Sequence, residues 1–364
     1  NSSFVNNIVD ESVPIESLLQ DPAEVVASWS QKSNPNIPLP IRLYSSSTLE
    51  QGARVNSFGW DLSDPSCLDS LTAQMDCAWN SFRSRRQTLD LHNENAVLNP
   101  ANRTEVLGKL AYASVNEMLE ALGKANNSFT AWSRTPVSDR ADRLRVLADQ
   151  LESRTPLLLA LCVKEAGKTM ADAIAEVREA VDFCRYYADR GEELFQNNED
   201  LTGEDLQARG VVLCISPWNF PIAIFLGQIT AALVCGNTVL AKPAEQTSLV
   251  AIAVVELMYA AGFPTDVVHC LPATGKSVGE VLVSNSRIKA VMFTGSTVTA
   301  QWIHRALAQR DDAAIALIAE TGGQNAMIVD STALPEQVVD DVIRSGFQSA
   351  GQRCSALRVL FLQE

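Results

Sequence analysis

A cysteine near the end of the sequence has the surroundings of a nucleophile. Cys354 lies between Arg353 and Ser355, behind the small-residue turn "SAG" at 349–351. The thiolate form of cysteine is the reactive one. Because a lone cysteine is more often a small core residue, the prediction depends on which other polar segments the fold brings to the same place.

Those polar segments follow short runs of apolar and β-branched residues. Five such runs occur in the second half of the chain, at residues 211–216, 238–242, 267–271, 290–293 and 315–320. The segments between them, such as "TSLVAIAVVELMYAAG", have the length and period of helices. Strands and helices that alternate at roughly 30-residue intervals indicate βαβ units and a parallel sheet buried on both faces. The predicted fold class is therefore α/β.

The carboxyl ends of parallel strands meet at one edge of a sheet, where ligands bind. The loops predicted there read "SPWNFP" (216–221), "KPAEQT" (242–247), "FTGST" (293–297) and "ETGGQN" (320–325). Taken singly, each has a structural explanation: "SPWNFP" is an ordinary turn, and "FTGST" caps a helix as readily as it binds phosphate. Four such loops on one edge, followed by a thiol and an acid, favour an active site. No G-x-G-x-x-G follows the first run, so a nucleotide site must be built differently.

The first half of the sequence is expected to contain four helices, an extended linker and a loop. Helices are predicted at 68–82, 114–132, 138–169 and 170–195, with Ser138 or Asp139 available as a cap for the third. Residues 34–47 are typical of an extended linker, and 93–106 of a loop. The charged helix end "KEAGK", with Glu165 and Lys168, is typical of a solvated cap.

Composition restricts the partners. The net charge of −14 argues against nucleic acid or an anionic membrane surface as a partner. Most of the eight cysteines lie in apolar runs, which indicates reduced thiols, and the three histidines lack zinc-ligand spacing, so no metal site is expected. Polar residues interrupt the apolar stretch 211–235, and no secretory signal opens the chain. The composition predicts a soluble cytoplasmic protein without a membrane span.

Five motifs together resemble the aldehyde dehydrogenase superfamily: "ISPWNFP", "LAKPAEQT", "MFTGST", "AETGGQN" and "GQRCSA", in this order. Glu320 and Cys354 are 354 − 320 = 34 residues apart, the separation expected of that family's base and nucleophile. The resemblance implies a Rossmann-like NAD-binding domain at 91–321 and the start of a truncated catalytic domain at 322–364. On this expectation the isolated chain binds NAD weakly and shows little turnover.

Within the family, "EVREAVDFCRYYA" and "AGQRCSALRVL" resemble the glutamate γ-semialdehyde dehydrogenases of bacterial bifunctional enzymes of proline catabolism. Residues 1–22 resemble the end of a proline dehydrogenase barrel, and 23–90 a linker and connector helix. The resemblance implies oxidation of L-glutamate γ-semialdehyde to L-glutamate with NAD. It implies that FAD binds only in the absent proline dehydrogenase domain, and that the full-length protein is a homo-oligomer. Two alternatives stay open: another aliphatic aldehyde as substrate, or a non-turnover NAD-binding module.

The resemblance also implies residue roles. Cys354 is the nucleophile, the Asn219 amide and the Cys354 backbone N–H hold the oxyanion, and Glu320 activates water. The implied substrate residues are Phe220, Arg353 and Ser355, the last of these towards a substrate carboxylate.

For the cofactor, the resemblance places Lys242 and Glu245 on the adenosine ribose, where a carboxylate favours NAD over NADP. The other implied cofactor residues are Ser216, Pro217, Trp218, Gly275, Gly279, Thr294, Gly295, Ser296, Thr321 and Gly322. Ser296 is expected at the pyrophosphate, and Gly275 and Gly279 near the adenine. The sequence departs from the family pattern at Val298, Ala300 and Gln324, where Glu, Gly and Lys are frequent.

Overall fold

The computed structural model describes residues 9–10, 12–30, 37, 40, 55–86, 95–197, 206–312 and 315–363. The chain forms two compact units, Asn1–Asn56 and Ser57–Glu364. The first contains helices α1 (Ile15–Leu18) and α2 (Pro22–Ser28), the latter capped by the Asp21 side chain. The predicted linker at 34–47 lies outside the described residues, except at positions 37 and 40.

The second unit begins with helices packed by their apolar faces. They are α3 (Pro65–Arg86), α4 (Val115–Ser133), α5 (Val137–Ser153), α6 (Thr155–Lys164) and α7 (Met170–Asn197). The single helix predicted at 138–169 is wrong, because the chain breaks at Arg154 and restarts with a proline in the first turn of α6. The predicted cap is also wrong: Pro136 holds the N-cap position of α5 and no side chain caps it.

The loop predicted at 93–106 is a hairpin instead. Strands β1 (Asn95–Asn99) and β2 (Asn102–Leu110) pair antiparallel, and the Asn99 side chain accepts the Ala101 N–H at 2.9 Å across the turn. Leu107 and Leu110 are buried. Asparagine and proline in this segment therefore form the turn between two strands.

The central sheet matches the predicted one. Its strands are β3 (Val211–Ile215), β4 (Thr238–Lys242), β5 (Val268–Cys270), β6 (Ile288–Gly295) and β7 (Ala316–Thr321), all parallel, in the order β5-β4-β3-β6-β7. The connecting helices are α8 (Ala223–Val234), α9 (Ser248–Ala260), α10 (Gly275–Val278, continued by a π-helical turn at Gly279–Val283) and α11 (Thr297–Ala308). The α/β prediction and all five strands are confirmed.

Alternate residues of β3 belong to two different core layers. Val212 and Cys214 pack with the layer of α5 to α9, and Val211 and Leu213 pack with α4 and α11. The sheet is therefore buried on both faces, which accounts for its continuous apolar strands. Because the strand order reverses between β3 and β6, a crevice opens between their carboxyl ends.

Beyond the sheet, β8 (Asn325–Val329) pairs in parallel with β9 (Leu357–Leu362), and α12 (Pro335–Phe347) lies between them in sequence. Strand β8 and helix α12 therefore connect the end of β7 to the segment that contains Cys354. The domain boundary placed between 321 and 322 stays a prediction.

Candidate active site

A cleft of about 580 Å³ lies at the carboxyl ends of β3, β4, β6 and β7. It collects most of the residues proposed from the sequence: Ser216, Pro217, Trp218, Asn219, Lys242, Glu245, Gly275, Thr294, Gly295, Ser296, Glu320, Thr321, Gly322, Arg353 and Cys354. Gly279, Phe220 and Ser355 do not line it. Gln246, Thr299, Gln352 and Arg358 line it as well and were not proposed from the sequence.

The cysteine is presented by an unusual turn. Ser349, Ala350 and Gly351 all have positive φ angles, of 54°, 54° and 68°. Left-handed backbone costs about 1–2 kcal/mol for a residue with a Cβ, so small residues suit this turn. A Cβ on Gly351 would come within 2.9 Å of the Gly346 carbonyl oxygen. The predicted small-residue turn is confirmed, and Cys354 follows it with an exposed side chain.

Two asparagines hold the backbone around the cysteine. Asn219 Nδ2, from the loop after β3, donates to the Gln352 carbonyl at 2.7 Å. Asn325 Nδ2 donates to the carbonyls of Cys354, at 2.6 Å, and Ala356, at 3.0 Å. Asn219 therefore lies beside the cysteine segment, as a candidate oxyanion donor must. Asn325 was missed, although it ends the motif "ETGGQN"; its place in the segment that follows the last predicted strand of the sheet was the available signal.

The acid lies on the same cleft as the thiol. Glu320 is exposed near the end of β7 and pairs in register with Thr294 of β6. Thr321 and Gly322 continue the wall towards Asn325. An exposed carboxylate and an exposed thiol in one cleft can act in turn on the same bound molecule, the thiol as nucleophile and the carboxylate as base for water.

A charged pair lies at the end of β4. Lys242 is buried, and its Nζ is 3.8 Å from Glu245 Oε1, which also accepts the Gly275 N–H at 2.8 Å. Burial lowers the pKa of Lys242, and Glu245 opposes that shift. A donor and an acceptor side by side suit a pair of vicinal hydroxyls such as those of a ribose.

Two glycines expected near an adenine differ in their surroundings. A Cβ on Gly275 would meet nothing within 4 Å, so its backbone is open to the cleft. A Cβ on Gly279 would lie 2.6 Å from the Trp302 ring. Gly279 is therefore buried beneath an indole and does not line the cleft, since the helix carrying Trp302 packs directly on it.

Helix N-termini bind phosphates, but two of those beside the sheet are filled by the protein's own carboxylates. Glu176 accepts the N–H groups of Ile222 and Ala223 at the start of α8, at 2.9 and 2.8 Å. Glu165 accepts those of Leu249 and Val250 at the start of α9, both at 2.8 Å. These carboxylates leave no place for a phosphate at either end.

Helix α11 differs, because its N-terminus borders the cleft. Its cap Ser296 accepts the Thr299 N–H at 3.2 Å, and both residues line the cleft. A dinucleotide would fit this cleft with a ribose at Lys242 and Glu245 and a pyrophosphate at Ser296. A site of this kind would not need the standard glycine fingerprint after β3.

The solvated cap expected at "KEAGK" is wrong. Glu165 is 4% exposed, and Lys168 Nζ forms an ion pair with Glu176 Oε2 at 3.1 Å, with the side chains 7% and 0% exposed. Lys168 also lies 5.0 Å from the Phe220 ring. Both charges are buried because this helix end packs against the starts of α8 and α9. Phe220 thus lies against a buried ion pair, and Ser355 is exposed outside the cleft.

We expect Lys168→Met to cost about 3–5 kcal/mol of local stability, because the buried Glu176 carboxylate loses its partner. Hydrogen–deuterium exchange of the intact protein measures this at the Ile222 and Ala223 amides, which should exchange faster. The matched control is Lys124→Met, whose ion pair with Glu120 is exposed, at 51% and 64%, and should cost under about 1 kcal/mol. Equal, small effects in the two variants would contradict the expectation.

The remaining sequence predictions concern thiols, metals and membranes. All eight cysteines are free, and burial raises the pKa values of Cys162, Cys184 and Cys214, that of Cys184 to about 12. Within the described ranges, no cluster of His, Cys, Asp or Glu is arranged to hold a metal ion. None of the helices described is both long and apolar enough to cross a bilayer.

Comparison with known proteins identifies a family and several relatives of this chain. A model of the aldehyde dehydrogenase family matches residues 89–364. The chain is 46% identical over 377 residues to the bifunctional protein PutA of Klebsiella aerogenes, covering all of this chain and 28% of that protein. It is 40% identical over 277 residues to a 1-pyrroline-5-carboxylate dehydrogenase of Anoxybacillus flavithermus, covering 73% of this chain and 54% of that protein. A crystal structure of a proline utilization A variant from Bradyrhizobium japonicum superposes with a TM-score of 0.79 at 42% identity, over 100% of this chain and 34% of that one.

Proposed function

The chain belongs to the aldehyde dehydrogenase family, and on that premise we propose that it carries the site for NAD-dependent oxidation of L-glutamate γ-semialdehyde to L-glutamate. The semialdehyde is the open form of Δ1-pyrroline-5-carboxylate. The observation that carries the proposal is the convergence of Cys354, Glu320 and Asn219 on one cleft that also contains Lys242 and Glu245. The substrate follows from the relatives, two of which are a PutA and a 1-pyrroline-5-carboxylate dehydrogenase.

The chemistry begins at the thiol. The Cys354 thiolate adds to the aldehyde carbon, and the carbonyl oxygen becomes an oxyanion. Asn219 has two amide N–H groups; one donates to the Gln352 carbonyl, and the other is available to the oxyanion together with the Cys354 backbone N–H. A single such donor is typically worth about 10²–10³ in rate.

Residues at the ends of β4 and β6 would hold the cofactor. Lys242 and Glu245 would hold the ribose hydroxyls, and Ser296, at the start of α11, would hold the pyrophosphate. When bound, NAD⁺ supplies the hydride acceptor that aldehyde oxidation requires. Glu320 then takes a proton from the water that hydrolyses the acyl group on Cys354, releasing the acid and the free thiol.

Cofactor choice gives a direct prediction. A 2′-phosphate would lie against the Glu245 carboxylate, so NAD is preferred over NADP. Glu245→Gln keeps an acceptor for the Gly275 N–H but removes the charge, and should raise the ratio of kcat/KM for NADP⁺ to that for NAD⁺ by about tenfold. Glu120→Gln, at an exposed surface pair, should leave the ratio unchanged. A ratio that stays the same in Glu245→Gln would contradict this role.

Substrate choice is tested on the intact protein. We expect kcat/KM for Δ1-pyrroline-5-carboxylate to exceed that for propionaldehyde by at least about 100-fold, because a site built for polar groups discriminates strongly against a substrate that lacks them. Steady-state NADH formation with each aldehyde at several concentrations measures the ratio. A preference for propionaldehyde would assign the site to another aliphatic aldehyde.

We also propose that the full-length protein is cytoplasmic and forms a homo-oligomer. It rests on the family resemblance and on the free thiols of the chain. Sedimentation equilibrium of the intact protein tests the association: a single species at the mass of one chain would contradict it.

A further inference from the structure

A side chain that the proposed chemistry does not use joins the cysteine segment to a distant helix. Gln348 comes directly before the left-handed turn at 349–351, and its Nε2 donates to Asp172 Oδ1 at 3.3 Å. Arg353 Nη1, beyond the turn, donates to Gln348 Oε1, also at 3.3 Å. Asp172 lies in the first turn of α7, 176 residues earlier in the sequence. The Gln348 amide therefore spans the turn and ties it to α7.

The far end of this chain of hydrogen bonds is fixed by a helix cap. Thr169 Oγ1 accepts the Asp172 N–H at 3.2 Å and donates to Asp172 Oδ2 at 2.8 Å. The other carboxylate oxygen, Oδ1, is thus left for Gln348. Because the cap fixes both the backbone and the side chain of Asp172, it also fixes the acceptor that the Gln348 amide must reach.

An amide suits position 348 better than a charged side chain. A carboxylate accepts hydrogen bonds and cannot donate them, whereas a guanidinium donates and cannot accept. Nε2 of Gln348 must therefore face Asp172, and Oε1 must face Arg353. A glutamate here would set two carboxylates side by side, and a lysine would set two cations side by side. The chemistry of both neighbours thus accounts for a glutamine at this position.

The bond to Gln348 leaves most of the Arg353 guanidinium unused. A guanidinium carries five N–H donors, and the acceptor that Arg353 meets within the described residues is Gln348 Oε1 alone. Its Nε is buried and has no acceptor among those residues, which is destabilising unless a ligand supplies one. Arg353 also lines the cleft beside Cys354. A fixed cation with unpaired donors at this wall suits a carboxylate, whose two oxygens match the planar guanidinium.

We infer that Gln348, tied to Asp172, is a positioning residue for substrate selection, which holds the Arg353 guanidinium towards the carboxylate of the bound aldehyde. The inference rests on the proposed function. Gln348 does not touch the substrate and acts through Arg353. Loss of the amide should therefore affect an aldehyde that carries a carboxylate and spare one that does not, which a purely structural role would not do.

Steady-state kinetics of the full-length protein with two aldehydes tests this. Gln348→Met keeps the size of the side chain and removes the amide, so kcat/KM for Δ1-pyrroline-5-carboxylate should fall about fivefold to tenfold, mainly through a higher KM. The value for propionaldehyde, which has no carboxylate, should stay within about twofold. Combining Gln348→Met with Arg353→Gln should lower the ratio of the two values no further than Arg353→Gln alone, because both changes remove the same interaction.

A rescue variant keeps one carboxylate in the chain of hydrogen bonds. Gln348→Glu combined with Asp172→Asn places the acid directly against Arg353 and an amide at position 172. It should restore most of the preference lost in Gln348→Met. The matched control is Gln337→Met, which changes an exposed glutamine on α12 and should leave both kcat/KM values unchanged.

Equal losses with both aldehydes in Gln348→Met, an unchanged ratio, or a further fall of the ratio in the double variant would overturn the inference, as would a rescue variant that behaves like Gln348→Met. Should Gln348→Met fail to fold, Gln348→Asn, whose amide is one methylene too short to reach both partners, bears the same prediction. Unmodified protein that prefers propionaldehyde would overturn the proposed function and this inference together. A normal preference that does not depend on Gln348 would overturn the inference alone.

Discussion

Replacing Cys354 with alanine in the full-length protein is expected to lower aldehyde-dependent NADH formation by at least about 1,000-fold, since loss of a nucleophile removes the covalent route entirely. The side chain is exposed, and its backbone carbonyl is held by Asn325. The fold around it should therefore survive the change. NAD⁺ affinity should stay close to that of the unmodified protein, because the ribose site at Lys242 and Glu245 is unaltered.

The matched control for this variant is Cys77→Ala, an exposed free cysteine on α3. We expect it to keep full activity, measured as initial rates of NADH absorbance with Δ1-pyrroline-5-carboxylate. If Cys354→Ala kept a tenth or more of the activity, the thiol would not be the nucleophile. If both variants lost activity equally, a general sensitivity to cysteine replacement would explain the result.

Glu320→Gln should separate the two halves of the reaction. The thiol can still add to the aldehyde, but no base remains to activate water, so steady-state turnover should fall by about 10²–10⁴-fold. Rapid mixing should still show a burst of NADH approaching one equivalent per site, because the acyl-enzyme forms and then persists. Glutamine keeps the size of the side chain and removes only its charge and basicity.

Glu336→Gln, an exposed acid in the first turn of α12, is the corresponding control and should turn over normally. Stopped-flow absorbance measures burst and steady state in one experiment. A Glu320→Gln protein with neither burst nor turnover would place Glu320 in the first half of the reaction. A protein with normal turnover would exclude it as the base.

The sheet and its loops were predictable because their signals are local. Each strand is a short β-branched run, and parallel pairing brings the following loops to one edge regardless of the distance between them in sequence. That rule alone placed Asn219, Glu245 and Glu320 near one another. The cysteine segment was harder, since Cys354 reaches the cleft through β8, α12 and a left-handed turn that only the structure shows.

The errors share a physical cause. Lys168 and Glu165 are charged and lie at a helix end, which locally favours solvent exposure, but their partners lie far along the chain, at Glu176 and at the backbone of Leu249. Gly279, which the resemblance places near an adenine, shows the same effect of distance, because a ring twenty-three residues away in sequence covers it: Trp302 (302 − 279 = 23). Its role towards the cofactor stays a prediction. Burial of a residue by an element far along the chain cannot be predicted from the residues next to it in sequence.

Aldehyde oxidation is proposed to pass through an acyl group on Cys354, and trapping that acyl group is a direct test. Glu320→Gln protein is mixed with NAD⁺ and Δ1-pyrroline-5-carboxylate, quenched in acid, digested and analysed by mass spectrometry. The peptide containing Cys354 should gain the mass of one glutamyl group, and the addition should be absent without NAD⁺. An unmodified Cys354 peptide from protein that has nevertheless produced a burst of NADH would contradict it.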